Sequence, residues 1–119
     1  MYALVDGEII EIPPHETVKI RTGFAMQIPF GYFGAIFARS GIASTQGLRP
    51  SNCVGVIDSD YRGEIMIALH NDFSETQLIY NKERIAQMIL IPFAPIWFED
   101  ADKLDETDRG EGGFGSTGQ

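Results

Sequence analysis

The chain is short of residues that several classes of function require. Its 119 residues include one cysteine, Cys53, so no intramolecular disulfide can form. With only two histidines it also offers no Cys/His cluster at transition-metal spacing. No apolar run approaches the roughly 20 residues that cross a bilayer, so no membrane association is expected. The first residues include Asp6 and Glu8 and lack the basic, then apolar, order of an export signal. Basic residues are scarce: nine Lys and Arg stand against seventeen Asp and Glu, a formal net charge of −8. Non-specific binding to nucleic acid or to anionic membranes depends on basic patches, so neither partner is expected. A reduced, cytoplasmic compartment is the expectation; a nucleus or a phage-infected cell would present the same chemistry.

What the chain does have is turn-forming residues, thirteen glycines and six prolines, which favour many short strands over long helices. Its length suits one domain, and a chain this short gains from an oligomer. Residues 8–12 alternate loosely until Pro13-Pro14 ends the run. Residues 17–21 alternate again, with Val18 and Ile20 on one face and Lys19 and Arg21 on the other. Thr22-Gly23 is a break, Pro29-Phe30-Gly31 a turn, and residues 32–38 read as a buried strand. Residues 54–57 and 64–69 flank the turn-rich Asp58-Ser59-Asp60 and read as a hairpin. Residues 77–80 and 85–91 are two more strands, and Ile96-Trp97-Phe98 a last short one. One short helix is expected, beginning near Ser40. The pattern predicts an all-β barrel or sandwich. Beyond Phe98 the composition changes. Residues 99–108 are acidic with one lysine, and residues 109–119 hold five glycines and a single aromatic, Phe114. A domain over 1–98 and a solvated linker with a flexible arm over 99–119 are expected.

Four constellations are candidates for chemistry. Arg39-Ser40-Gly41 opens the helix, where free N–H groups and a guanidinium suit an anion; Ser40 as a plain N-cap is the simpler alternative. Val56-Ile57-Asp58-Ser59-Asp60-Tyr61-Arg62-Gly63 sets a carboxylate that can act as general base beside an aromatic that can lie under a sugar. The alternative is that both aspartates only serve the turn. Arg84-Ile85-Ala86-Gln87 puts two polar groups in an otherwise apolar strand; alternation places Arg84 and Ala86 on one face and Gln87 on the other, unless a bulge intervenes. Arg109-Gly110-Glu111-Gly112-Gly113-Phe114-Gly115-Ser116-Thr117-Gly118 combines amides that can nest an anion with a flat ring for a base. An acidic protein that handles a polyphosphate must concentrate its few arginines locally and recruit a divalent cation.

Taken together, these segments resemble, in order, the motifs of the trimeric dUTPase family, and the resemblance covers nearly the whole chain. Ala38-Arg39-Ser40-Gly41-Ile42-Ala43 is similar to its second motif, the run from Gly55 through Asp58 and Tyr61 to Glu64 to its third, Arg84-Ile85-Ala86-Gln87-Met88 to its fourth, and the glycine-rich tail to its fifth. The resemblance implies a jelly-roll-like β-barrel, a homotrimer with shared active sites, and Mg²⁺-assisted hydrolysis of dUTP to dUMP and pyrophosphate. It implies that Asp58 takes a proton from the water attacking the α-phosphorus, and that Tyr61 packs on deoxyribose. It further implies that backbone groups of Val56 and Ile57 read uracil. Arg39, Ser40, Gly41 and Gln87 would hold phosphates or the attacking water, and Arg84 would support sugar or phosphates. Phe114 would stack on the base, with Arg109, Gly115, Ser116 and Thr117 closing on the γ-phosphate. Mg²⁺ would be held by the substrate phosphates and water, with no direct protein ligand.

Two departures stand out. The family's first motif, an Ala-Gly-any-Asp-Leu run, is missing, and Met1-Tyr2-Ala3 is similar to the residues just after its Asp. Either the start lies several residues late or the protein lacks the run, and the metal-dependent part of the activity would then suffer most. Lys82-Glu83 stands where the family has Gly-Asp. Two alternatives are a binding protein derived from a dUTPase, gated by nucleotide with weak activity, and a dCTP deaminase on the same barrel. The intact run from Asp58 to Tyr61 and the tail favour the diphosphatase.

Overall fold

The alternating stretches become paired strands. In the computed structural model, which describes residues 1–7 and 9–116, the elements are β1 (Ile9–Ile12), β2 (Thr17–Arg21), β3 (Tyr32–Phe37), α1 (Ser40–Gln46), β4 (Leu48–Pro50), β5 (Gly55–Ile57), β6 (Met66–Asn71), β7 (Gln77–Tyr80) and β8 (Gln87–Pro92). All pairing between strands is antiparallel, in three sheets ordered β1-β7, β2-β6-β4 and β5-β3-β8. Together they form an all-β, jelly-roll-like fold with one short helix. Among the described residues no helix is long and apolar enough to cross a membrane.

In β2, Ile20 is buried and Val18 half-buried, while Thr17, Lys19 and Arg21 are exposed. Ile20 pairs with Ile67 and Val18 with Leu69 of β6, so the two strands turn one apolar face inward. Ile12, Leu48, Ile65, Ile79 and Ile85, each fully buried, join them in the core. Each such side chain contributes roughly 1.5–3 kcal/mol relative to an exposed one. Asn71 is buried among them with its amide satisfied: Nδ2 donates to the carbonyls of Ile12 (3.0 Å) and Glu75 (2.8 Å), and Oδ1 accepts from Phe73 N–H (2.9 Å).

Several expectations change. The stretches around Asp58 do not form a hairpin, because β5 pairs with β3 and β6 with β2 and β4. Residues 96–98 pair with no strand among the described residues and are not a strand. The three-residue β4 was not anticipated; it is an edge strand, where Pro50 is tolerated. Ser40 is not the N-cap of α1. Arg39 holds that position with extended backbone and no side-chain cap bond, and Gly47 closes the helix at φ 64° with its N–H on the Ile42 carbonyl. Glu8, expected to begin the first strand, lies outside the described residues.

The core holds no aromatic side chain among the described residues. The aromatics are on the surface instead: Phe30 is 94% exposed, Trp97 81% and Phe98 93%. β8 is an edge strand with Ile89 and Leu90, on its two opposite faces, both exposed. Residues 93–111 are exposed throughout. They stretch the molecule to 59 × 39 × 20 Å, with a radius of gyration of 19.2 Å. A compact chain of this length would have about 13–14 Å.

Candidate functional site

The absent hairpin leaves an opening in its place. Among the described residues β5 is an edge strand bonded to β3 alone, which leaves its other backbone edge open. Between that edge and residues 66–68 of β6 run two adjoining cavities of about 270 and 260 Å³, both walled by Val56, Ile57, Met66 and Ala68. The outer one also carries Lys19, Asp58, Tyr61 and Glu64. The inner one reaches Ser51, Asn52 and Gly55. A flat, polar-edged ligand inserted here meets unpaired strand backbone along one side.

The loop that carries Asp58 is tied at several points. Tyr61 N–H donates to the Asp58 carbonyl at 3.2 Å. Arg62 Nη1 donates to the carbonyls of Ser59 (2.7 Å) and Tyr61 (3.1 Å). The Tyr61 hydroxyl donates to the Glu64 carbonyl at 2.8 Å. Glu64 anchors the far end, accepting from Gly23 N–H at 2.8 Å and from Arg21 Nε at 3.1 Å. The Gly23 amide first, and Arg21 after it, hold the Glu64 carboxyl below the usual glutamate range. The Asp58 side chain itself is exposed, open to a ligand or a water.

A second centre forms where α1 begins. Gln87 Nε2 donates to the Ala38 carbonyl at 2.9 Å, and Arg39 Nη1 donates to the Arg84 carbonyl at 3.4 Å. The runs that begin with Arg39 and Arg84 are thereby brought together, with a cavity of about 270 Å³ beside Arg39, Thr45, Gln46, Glu83 and Arg84. Arg84 and Ala86 do not share a face: Ile85 and Ala86 are both buried, while Arg84 and Gln87 are exposed. Regular pairing begins only at Gln87, and Arg84 instead bridges to Tyr2.

The arm lies apart from both centres. Its amides are used in its own turns, Gly112 N–H on the Arg109 carbonyl (3.1 Å) and Ser116 N–H on that of Gly113 (2.9 Å). Arg109 Nε donates to the Gly112 carbonyl at 2.7 Å. Phe114, at φ 50°, is fully exposed, and Gly115 and Ser116 beside it are exposed too. Among the described residues no hydrogen bond joins the arm to either centre. Thr117 lies outside the described residues.

Among the described residues no three His, Cys, Asp or Glu side chains converge as a metal cage. Mg²⁺ commonly keeps several waters and takes phosphate oxygens with few protein carboxylates, so it does not need such a cage. The sequence reading missed Lys19, Glu64, Ser51 and Asn52 as slot residues. Lys19 reaches the slot because it pairs opposite Ala68, a partnership no local pattern announces. Asn52 sits in a turn, where Asn is ordinary.

A family model described as dUTPase matches residues 2–118. The deoxyuridine 5'-triphosphate nucleotidohydrolase of Desulfitobacterium hafniense (strain DSM 10664 / DCB-2) is 52% identical over 119 residues, spanning 99% of this chain and 78% of the relative. Among solved structures, a mutant of the Staphylococcus bacteriophage 80alpha dUTPase with dUpNHpp superposes at a TM-score of 0.83 with 27% identity, covering 99% of this chain and 85% of that one. The dUTPase from Streptococcus mutans gives a TM-score of 0.70 with 31% identity, covering 82% and 80% respectively.

Proposed function

This chain belongs to the dUTPase family, and from that premise we propose how its residues divide the hydrolysis of dUTP to dUMP and pyrophosphate. The observation that carries the reading is the open slot, which sets a free strand edge beside an exposed carboxylate and a tethered tyrosine. Uracil presents carbonyl acceptors and an N–H along one edge, and the backbone of Val56 and Ile57 offers the complement. The Asn52 amide adds a donor and an acceptor at the inner end. Tyr61 forms the floor for the sugar and leaves no room for a 2′-hydroxyl. Asp58 takes the proton of a water whose oxygen attacks the α-phosphorus. The bond from that phosphorus to the bridging oxygen breaks, and pyrophosphate leaves.

Arg39, Ser40 and Gly41 receive the phosphates at the start of α1, with Gln87 orienting phosphate or water and Arg84 in support. Mg²⁺, when bound, would be held mainly by the substrate phosphates and water beside Arg39, Ser40, Gly41 and Gln87, and would supply positive charge for the leaving pyrophosphate.

The region 1–98 forms the barrel domain in this reading, and 99–119 an arm that works on another copy. Phe114 stacks on uracil while Arg109, Gly115, Ser116 and Thr117 close on the γ-phosphate. A homotrimer supports that arrangement physically. It covers the apolar edge strand β8 and gives the extended arm a surface to dock on.

Pyrophosphate release from dUTP, dTTP, dCTP and UTP, with and without Mg²⁺, tests the assignment. Turnover is expected for dUTP, with Asp58→Asn binding dUTP yet losing at least about a thousandfold in kcat. Wild-type turnover in Asp58→Asn removes the general-base role.

A further inference from the structure

Arg49 lies outside the site described so far, yet it controls part of its wall. β4 (Leu48–Pro50) leads directly into residues 51–54, the turn that presents Ser51 and Asn52 to the slot. Within that turn Cys53 N–H donates to the Pro50 carbonyl and Val54 N–H to that of Asn52, both at 2.8 Å. Cys53 sits at φ 66°, in the left-handed region that a residue with a Cβ rarely adopts. Four exposed residues with such a backbone need support from outside the turn.

The Ala68 carbonyl accepts from Ser51 N–H at 2.8 Å at the start of the turn, and the guanidinium of Arg49 holds the carbonyl side. Nε and Nη2 fork onto the Asp72 carboxylate at 2.7 and 3.1 Å. Nη1 donates to the carbonyls of Pro50 (3.4 Å) and Ser51 (3.3 Å) and reaches Cys53 Sγ at 3.8 Å. Asp72 is itself fixed, because its N–H donates to the Gly47 carbonyl at 2.9 Å and His70 Nε2 stands 3.7 Å from its Oδ1. One planar group therefore spans from the end of β6 to the turn that lines the slot. A lysine ammonium has donors enough but not the rigid fork that holds both sides at once.

We propose that Arg49, clamped by Asp72, is a positioning residue for base recognition: it sets the backbone of residues 51–54, so selectivity among pyrimidine bases depends on an ion pair that no nucleotide touches. The inference rests on the reading of the slot as the base site.

The test measures kcat and KM for dUTP, dTTP and dCTP with the full chain in wild type, Arg49→Lys, Arg49→Gln and Asp72→Asn. In Arg49→Gln and Asp72→Asn, KM for dUTP rises roughly tenfold and the preference for dUTP over dTTP falls by a similar factor, while kcat at saturating dUTP stays within about twofold. Arg49→Lys recovers part of the selectivity. Variants with a lowered melting temperature but unchanged KM and selectivity overturn the proposal, as does a loss confined to kcat. Should Arg49→Gln fail to fold, Arg49→Lys and Asp72→Asn, which remove only the fork, carry the same test. A wild-type protein that does not turn over dUTP sinks the family-based reading and the clamp with it. Active, selective wild type with equally selective variants sinks the clamp alone.

Discussion

The ring of Tyr61 lies over Gly63 because its hydroxyl is tied to the Glu64 carbonyl three residues on. A Cβ added at Gly63 would stand 2.5 Å from the Tyr61 oxygen and 2.7 Å from its Cζ, closer than atoms can approach. The ring is rigid and its hydroxyl anchored, so it must lift or swing away. The glycine thus sets the position of the Tyr61 ring, which is the proposed floor for the sugar, a role distinct from any backbone freedom. Gly63→Ala is expected to lower kcat/KM for dUTP by about tenfold and to narrow the gap between dUTP and UTP, as a small misplacement in a fitted site does. Kinetics with both nucleotides check it, and an unchanged ratio would mean that Tyr61 does not exclude the 2′-hydroxyl. At this scale the sequence singled out candidate residues by type and order but not how they are held. Asp58, Tyr61, Arg39 and Gln87 stood out by type and order, whereas the Gln87 bond to Ala38 spans 49 residues and has no local signature.

Glu64 joins the slot loop to the end of β2 through Arg21 and the Gly23 amide. Its folded pKa lies below the ordinary 4.5, so the unfolded chain takes up this proton first as pH falls. The resulting stability is present above the unfolded pKa and is lost as pH drops through the lowered folded value. Wild type should therefore lose more stability between neutral pH and about pH 3 than Glu64→Gln does, while the variant starts lower at neutral pH. Urea midpoints at several pH values check this, and parallel acid limbs would mean that the carboxylate contributes nothing. Among the elements, β2 and β7 were legible to the residue because alternation and flanking turns mark both ends. The hairpin was misread because a turn between two apolar runs does not say which strands they join. β5 finds β3, and β6 finds β2 and β4, through contacts distant in sequence. That error concealed the slot, since the opening exists only where the expected pairing fails. β4 was illegible for another reason: three residues ending in proline carry no period.

The molecule as a whole has an inverted distribution of apolar bulk. Aliphatic side chains fill the core, while Phe30, Trp97, Phe98 and Phe114 face outward on a body with an uncovered edge strand. Residues 99–116 hold seven acids and two bases, so five of the eight net negative charges lie on this segment and favour its solvation. Among the described residues no hydrogen bond joins the arm to the slot or to the start of α1, and Ile96-Trp97-Phe98, read as a strand, pairs with no described strand. A site completed by another copy accounts for all three observations. The decisive consequence is complementation. Asp58→Asn has an arm but no base, and a chain ending before Arg109 has a base but no arm, so each alone should be nearly inactive. When equal amounts are unfolded together and refolded, about a quarter of the sites in randomly mixed trimers draw Asp58 from one variant and the arm from the other. Pyrophosphate release should return to about a quarter of the wild-type rate at equal total protein. If the mixture stays as inactive as its components while still forming mixed oligomers, base and arm come from one chain, and the arm must fold back over its own slot.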